Sequence, residues 1–509
     1  MRDTLRLMTV FPMLGAGLAF GASVFYVSPA GDDGGPGTKA KPWKTLQHAA
    51  DLAKPGTIVN IMGGEYCQAL AIKVSGDSRN GFITFRSQPS QRAILDGSCL
   101  TPPEGGTRGG TALVSLHNVS YVRIEGLEIR NYRTDDRRRT PAGIHVSGSG
   151  SHIELLKNNV HHIEQNFQGR DRPGSGGNGF GIAVYGTDAK TPISDLVIDG
   201  NEVHHLKTGS SESLVVNGNV AGFRVTRNVV HDNNNIGIDL IGGEHAAPDP
   251  TVDRAREGVI AENRVYNITS RGNPAYGQEA SSDGIYVDGG TRLLIERNIM
   301  HDVDFGLELA SEHANWTTSH VIARNNLIFN CHTAGITIGG YDARRGITEF
   351  CQIVHNTLYG NDTWTTGTGE FMMQFHMRNN VFANNIVYVG KQRRVLTSRS
   401  GRMEPETPAV TMDHNLYFFQ GGSKAARWRF DARDYASFEE LQASGNDRDS
   451  SFGDPLFVNP AAGDFHLRKD SPARGAGRDL GATVAGDKDL DGAPRAKGGK
   501  VDIGCYAGK

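Results

Sequence analysis

The segments Val197-Ile-Asp-Gly-Asn201-Glu-Val203-His204, Phe223-Arg-Val-Thr-Arg-Asn228-Val-Val230-His231, Val259-Ile-Ala-Glu-Asn263-Arg-Val265-Tyr266 and Leu294-Ile-Glu-Arg-Asn298-Ile-Met300-His301 share one pattern. An apolar alternation runs into an asparagine, then into a further apolar residue closed by His or Tyr. Asn158, Asn325, Asn356 and Asn384 carry further copies, and the intervals from Asn158 to Asn384 are 43, 27, 35, 35, 27, 31 and 28 residues. A floor near 27 with variable excess describes one structural unit with loops inserted on it. Between these asparagines lies a second short strand: Gly143-Ile-His-Val146, Gly181-Ile-Ala-Val184, Gly237-Ile-Asp-Leu240, Gly284-Ile-Tyr-Val287, Gly306-Leu-Glu-Leu309 and Gly335-Ile-Thr-Ile338. Alternation places the branched apolar side chains on one face and the variable residue on the other. Several short strands per repeat, no helical period and frequent turn glycines predict an all-β, right-handed parallel β-helix, with roughly ten coils over residues 110–415. The asparagines are expected to stack at one turn, each amide satisfying backbone groups and its neighbours.

The ends complete the solenoid. Apolar residues at 46, 49, 50 and 53 give residues 42–53 one helical face, a lid for the first coil. After residue 416 the repeat breaks down, so residues 23–415 read as the β-helix with its N-terminal cap and 416–509 as an irregular C-terminal cap, with a short helix at 438–443. Residues 1–22 have a basic start, an apolar run at 7–20 and small residues at the exit, which predicts a secretory signal peptide and a secreted or periplasmic product. No later segment is long and apolar enough to span a membrane. Five cysteines match no zinc spacing; Cys67 and Cys99 are either bridged after export or buried thiols. A formal charge of −3 over 509 residues gives no electrostatic case for nucleic acid, and a monomer is expected.

Phe25-Tyr-Val-Ser-Pro-Ala-Gly-Asp-Asp33, Pro36-Gly-Thr38 and Pro42-Trp-Lys-Thr-Leu-Gln-His-Ala49 resemble the opening of secreted right-handed β-helix proteins of the pectate-lyase-like superfamily. Asp454-Pro-Leu-Phe457, Gly463-Asp-Phe-His-Leu467 and Val501-Asp-Ile-Gly504 are similar to that group's ending. The resemblance implies the architecture and a carbohydrate partner. The superfamily contains polysaccharide lyases, glycoside hydrolases and uronate epimerases, and fold does not choose among them.

Chemistry is expected on the outward positions of the Gly-Ile-x-Val strand, one per coil at about 4.8 Å. Going up, the first slot holds His145, Ala183, Asp239, Tyr286, Glu308 and Thr337; two residues later stand Ser147, Tyr185, Ile241, Asp288, Ala310 and Gly339. Asp239, Asp288 and Glu308 thus share three adjacent coils, a crowding of like charge that raises at least one pKa and that stability does not require. The sequence assigns catalysis to these three. Glu244-His245 and Glu312-His313 follow two of the strands as a repeated loop, and with Tyr276, Tyr286 and Trp316 they are expected to bind sugar. Asp283, Asp288 and Asp304 are the expected ligands if calcium is bound. Paired carboxylates favour hydrolysis of a polysaccharide; the alternatives are a calcium-dependent lyase, for which the ladder offers no lysine, and a non-catalytic glycan-binding protein.

Overall fold

The computed structural model describes residues 22–105, 112–168, 176–399, 408–497 and 499–508. The export signal reading falls on residues outside this set. No helix among the described residues is long and apolar enough to cross a membrane.

The chain winds through three parallel sheets in turn. The first sheet starts at Val24–Val27, the second at Gly64–Tyr66 and the third at Leu70–Ile72, and each continues through twelve or more hydrogen-bonded partners. Register holds the inward side chains in columns. One column of the third sheet runs Ile144, Ile182, Leu214, Ile238, Ile285, Leu307, Ile336 and Phe371, all fully buried. At about 1.5–3 kcal/mol for each buried aliphatic side chain, these columns supply the main favourable term.

The glycine of the Gly-Ile-x-Val strands in the third sheet has a steric cause. A Cβ on Gly181, Gly237, Gly284 or Gly306 would stand 2.5–2.7 Å from a carbonyl oxygen of the next coil. Only a residue without a side chain lets adjacent coils close here.

The asparagine ladder forms between the first and second sheets, with a change of members. It runs Asn158, Asn201, Asn228, Asn263, Asn298, Asn326, Asn356, Asn385 and Asn415; the Asn158 side-chain oxygen accepts from the Leu127 backbone N, and each later one from the backbone N and Nδ2 of the asparagine one coil earlier. Asn325 and Asn384, expected in the ladder, stand one residue before it. That preceding position takes positive φ in every coil, from Lys157 (53°) through Arg227 (54°) to Asn325 and Asn384 (56° each). In an Asn-Asn pair the first makes the left-handed bend, which asparagine tolerates, and the second stacks.

The N-terminal lid stands where it was expected, and the coils run past residue 415 at the other end. The helix Leu46–Leu52 covers the first coil, with Thr45 accepting from the backbone N of His48, and Cys67 and Cys99 form a disulfide. Parallel pairing continues beyond residue 415, through Leu416–Phe418 to Ser451–Phe452 and through Arg427–Phe430. The tail beyond then returns along the outer face of the second sheet. Phe457, Phe465, Ile503 and Tyr506 pack there against Leu327, Phe329, Tyr359 and Ile386. Asn325 Nδ2 donates to the carbonyls of Ala485 and Lys488 (3.0 and 3.1 Å), and Asn384 Nδ2 to that of Arg478 (2.8 Å). The displaced asparagines are therefore the tail's attachment points.

Candidate active site

Outward positions of the third sheet read, coil by coil, His145, Ala183, Val215, Asp239, Tyr286, Glu308 and Thr337. Val215 comes from Leu214–Gly218, a strand without the Gly-Ile-x-Val signature, and enters below Asp239. Asp239, Tyr286 and Glu308 remain on successive rungs, and Asp288 lies two residues beyond Tyr286. These side chains face away from the core yet do not reach open solvent: Asp239, Asp288 and Glu308 are 2, 4 and 8% exposed.

Register brings two more acids to them. Glu212 stands two residues before Leu214 and Asp283 two before Ile285, so the same offset recurs two coils apart. Each lies below and before a ladder carboxylate, giving the pairs Glu212 with Asp239 and Asp283 with Glu308. Burial, then the charges of Glu212 and Asp288, hold the Asp239 carboxyl well above the ordinary carboxylate range. Burial and Glu308 do the same to Asp283, which hydrogen bonds to Glu308. Glu308 is pushed up to about 7 by burial, opposed by the Asp283 hydrogen bond, the Arg399 charge and Gln374, whose Nε2 donates at 3.0 Å. Asp288 is raised by burial and by Glu312, although the Glu312 backbone N donates to its Oδ1 at 2.7 Å. Glu212 is raised as well, by burial and then by the Glu244 charge, so all four carboxyls of the two pairs hold protons more tightly than ordinary carboxylates.

The remaining expected residues divide. Glu244 sits at the rim, accepting from Asn217 Nδ2 at 2.7 Å, and Glu312 lies nearby with its carbonyl held by Arg345 (3.0 Å). His245 is exposed on a loop whose backbone N donates to Asp253 (2.8 Å), and His313 has a buried Nε2. The aromatics expected to stack on sugar are used otherwise. Trp316 packs on Gly243, where a Cβ would stand 2.6 Å from the indole, and under Arg254 at 4.5 Å. Tyr286 is buried against Ile236 and Ala310, and the half-buried Tyr276 hydroxyl accepts from Asn235 Nδ2 at 3.4 Å. Beside Glu212 a cavity of about 180 Å³ is walled by Phe180 and Tyr185.

The calcium set does not converge. Asp304 is fully buried and accepts from the backbone N of Ser270 and Ser282, the Ser282 hydroxyl and His332 Nδ1. Asp283 and Asp288 begin and end one strand, about 16 Å apart at about 3.3 Å per residue. The sequence put Asp288 on the outward face and Asp283 and Asp304 in the turns before their strands, which does not fix their separations. The charges of Glu212, Asp288, Glu244 and Glu312 act on Asp239, whose Oδ1 has no hydrogen-bond partner, but among the described residues the ligand atoms of three such groups converge only at Asp413, His414 and Asp449.

The proton balance has a measurable consequence. A carboxyl whose folded pKa is raised keeps its proton above pH 4.5 where the unfolded chain has released it, so stability falls as pH rises from 4.5 through about 7. Thermal melts between these limits should show this decline, and Glu308→Gln should flatten it and melt higher than wild type at pH 8. A Glu308→Gln variant with the wild-type pH slope would contradict the assignment.

Sheets, ladder and tail together define a right-handed parallel β-helix protein of the pectate-lyase-like class. The family "Pel9A-like, right handed beta helix region" matches residues 25–180, and "Right handed beta helix region" matches residues 215–418. The chain is 38% identical over 450 residues to the Bacillus subtilis (strain 168) protein YwoF, described as uncharacterized, covering 88% of this chain and 92% of that one, and it belongs to the YwoF family. Among solved structures it is similar to the GH136 lacto-N-biosidase from Eubacterium ramulus, with TM-score 0.50, 14% identity, and 78% of this chain and 68% of that chain covered. It is also similar to pectate lyase Pel9A, with TM-score 0.43, 13% identity and 96% of each chain covered.

Proposed function

We propose that this protein is a secreted or periplasmic carbohydrate-active enzyme that hydrolyses glycosidic bonds of a polysaccharide bound along the third sheet. The observation that carries this reading is the pair of coupled carboxyl dyads, Glu212–Asp239 and Asp283–Glu308, two coils apart on one sheltered face. Their ladder members stand about 9.6 Å apart at the backbone, from two steps of about 4.8 Å, and side-chain lean brings carboxyls at that spacing into the range used for inversion, about 6.5–9.5 Å. One dyad delivers a proton to the leaving oxygen; the other takes a proton from the attacking water. The solved lacto-N-biosidase is a precedent for a glycosidase on this fold.

Lysis of a uronate needs a basic side chain as well as a cation. Lys207 pairs with Glu164, Arg254 lies on Trp316, Arg256 bonds Asn219, Arg271 lies on Trp364 and Arg344 pairs with Asp342, which leaves Arg399, whose charge acts on Glu308, and Arg345, which holds the Glu312 carbonyl, as the basic residues beside the carboxylates. A calcium-dependent lyase is the second reading, because Asp239 Oδ1 is an unpartnered oxygen among acids of the kind a hard cation takes. Asp239 would be the first ligand of such an ion, which would neutralise the uronate carboxyl. Incubation with a polysaccharide panel, with and without chelator, separates the readings. New reducing ends that survive chelation, without the ultraviolet absorbance of unsaturated uronate, are expected. Chelator-sensitive absorbance would establish the lyase, and binding without cleavage a glycan-binding protein.

A further inference from the structure

The outer face of the second sheet carries a second ordered array, on another side of the molecule from the carboxylates. His161 stacks on His204 and His204 on His231, with ring centroids 4.9 Å apart in both cases. The following residue bends left-handed in each coil, with φ of 53° at both His162 and His205. That bend brings its ring to the first: Nδ1 of His161 lies 2.7 Å from Nδ1 of His162, and Nδ1 of His204 lies 2.7 Å from Nδ1 of His205. His162 in turn stacks on His205 at 5.4 Å. Two nitrogens at 2.7 Å share one proton at most, so each pair contains a bare Nδ1 lone pair.

The far side of the array decides which ring holds it. His204 Nε2 lies 3.0 Å from Asn159 Oδ1 and His161 Nε2 lies 3.3 Å from Glu128 Oε1. An oxygen acceptor there makes Nε2 the N–H and leaves Nδ1 of His161 and His204 unprotonated. An imidazole fixed by an oxygen behind it, with its free nitrogen aimed at a second donor, is the arrangement found around metal-ligating histidines. A cavity of about 690 Å³ opens over His162, His205 and Asp232, with room for an ion and its waters. Neither the core nor the carboxylate site uses these rings.

We propose that the His161–His162 and His204–His205 pairs each form a chelating site for a first-row divalent cation that prefers imidazole: Cu²⁺, Ni²⁺ or Zn²⁺. On binding, His162 and His205 pass to the Nε2–H tautomer, so no proton is gained or lost. The two Nδ1 lone pairs of each rung then take the ion at about 2.0–2.1 Å, the usual imidazole distance to zinc. Water or a ligand in the cavity completes the shell. Calcium, which takes oxygen ligands, is not a cation for this site.

The test is titration of the full chain with CuCl₂, NiCl₂ and ZnCl₂ by calorimetry, with electron paramagnetic resonance of the Cu²⁺ form. His162→Asn and His205→Asn are the variants, because asparagine tolerates the left-handed bend. Wild type should bind, copper tightest in the usual order of these metals, with imidazole nitrogen couplings in the spectrum. Each single variant should bind half as many ions as wild type, and the double variant should lose binding. Unchanged binding in the double variant, or none by wild type at millimolar metal, overturns the proposal. If the double variant melts early in EDTA, histidine modification by diethylpyrocarbonate decides instead. Zinc should protect His162 and His205 in wild type, and equal modification with and without zinc overturns the site.

Discussion

Replacing Asp239 with asparagine, or Glu308 with glutamine, is expected to lower turnover on the cognate glycan by a factor of about 10² to 10⁴, the usual share of acid–base catalysis. Both substitutions keep shape and remove one charge. Gln374 and Asp283 retain an oxygen to bond at position 308, and Asp239 Oδ1 has no hydrogen bond to lose. Melting temperature at neutral pH should therefore hold or rise, because a crowded and costly carboxyl is gone. Kinetics with melts on the same preparations distinguish this from a structural role, in which activity falls only as stability does. Full activity in both variants would move the catalytic centre to another face.

The largest effect on stability is expected inside the asparagine ladder. Asn263 Oδ1 accepts from the backbone N and Nδ2 of Asn228, while its Nδ2 donates to the carbonyl of Val225 and to Asn298 Oδ1 at 2.9 Å each. Asn263→Ala leaves these partners buried and unpaired between two closed coils, where water does not reach. At about 1–3 kcal/mol for each orphaned group, with partial relaxation, a loss of about 3–5 kcal/mol is expected in denaturant unfolding. A loss below about 1 kcal/mol would mean that neighbouring coils close over the gap.

Much of this was legible in the linear pattern because a solenoid turns tertiary contact into sequence period. A residue one coil away in space is one repeat away in sequence, so asparagine spacing and the Gly-Ile-x-Val alternation together carried the architecture and the order Asp239, Tyr286, Glu308. Register within Asn-Asn pairs was not legible, since either member fits the spacing and only the left-handed bend at Asn325 and Asn384 separates them. Glu212 was missed for a related reason: Leu214–Gly218 lacks the opening glycine, so its coil was passed over although its alternation is intact.

Sequence alone determined the fold and the outward class of the acidic residues, because burial of the branched face forces the opposite face out. Tertiary structure decided how far those residues lie from water and from one another. The charge of Glu212 on Asp239, or of Glu308 on Asp283, depends on separations across coils that no local pattern encodes. The same holds for Asp283 and Asp304 as metal ligands and for Trp316 as a sugar platform. Their residue types suit those roles, but a serine pair and a histidine already occupy Asp304, and Gly243 and Arg254 already enclose Trp316.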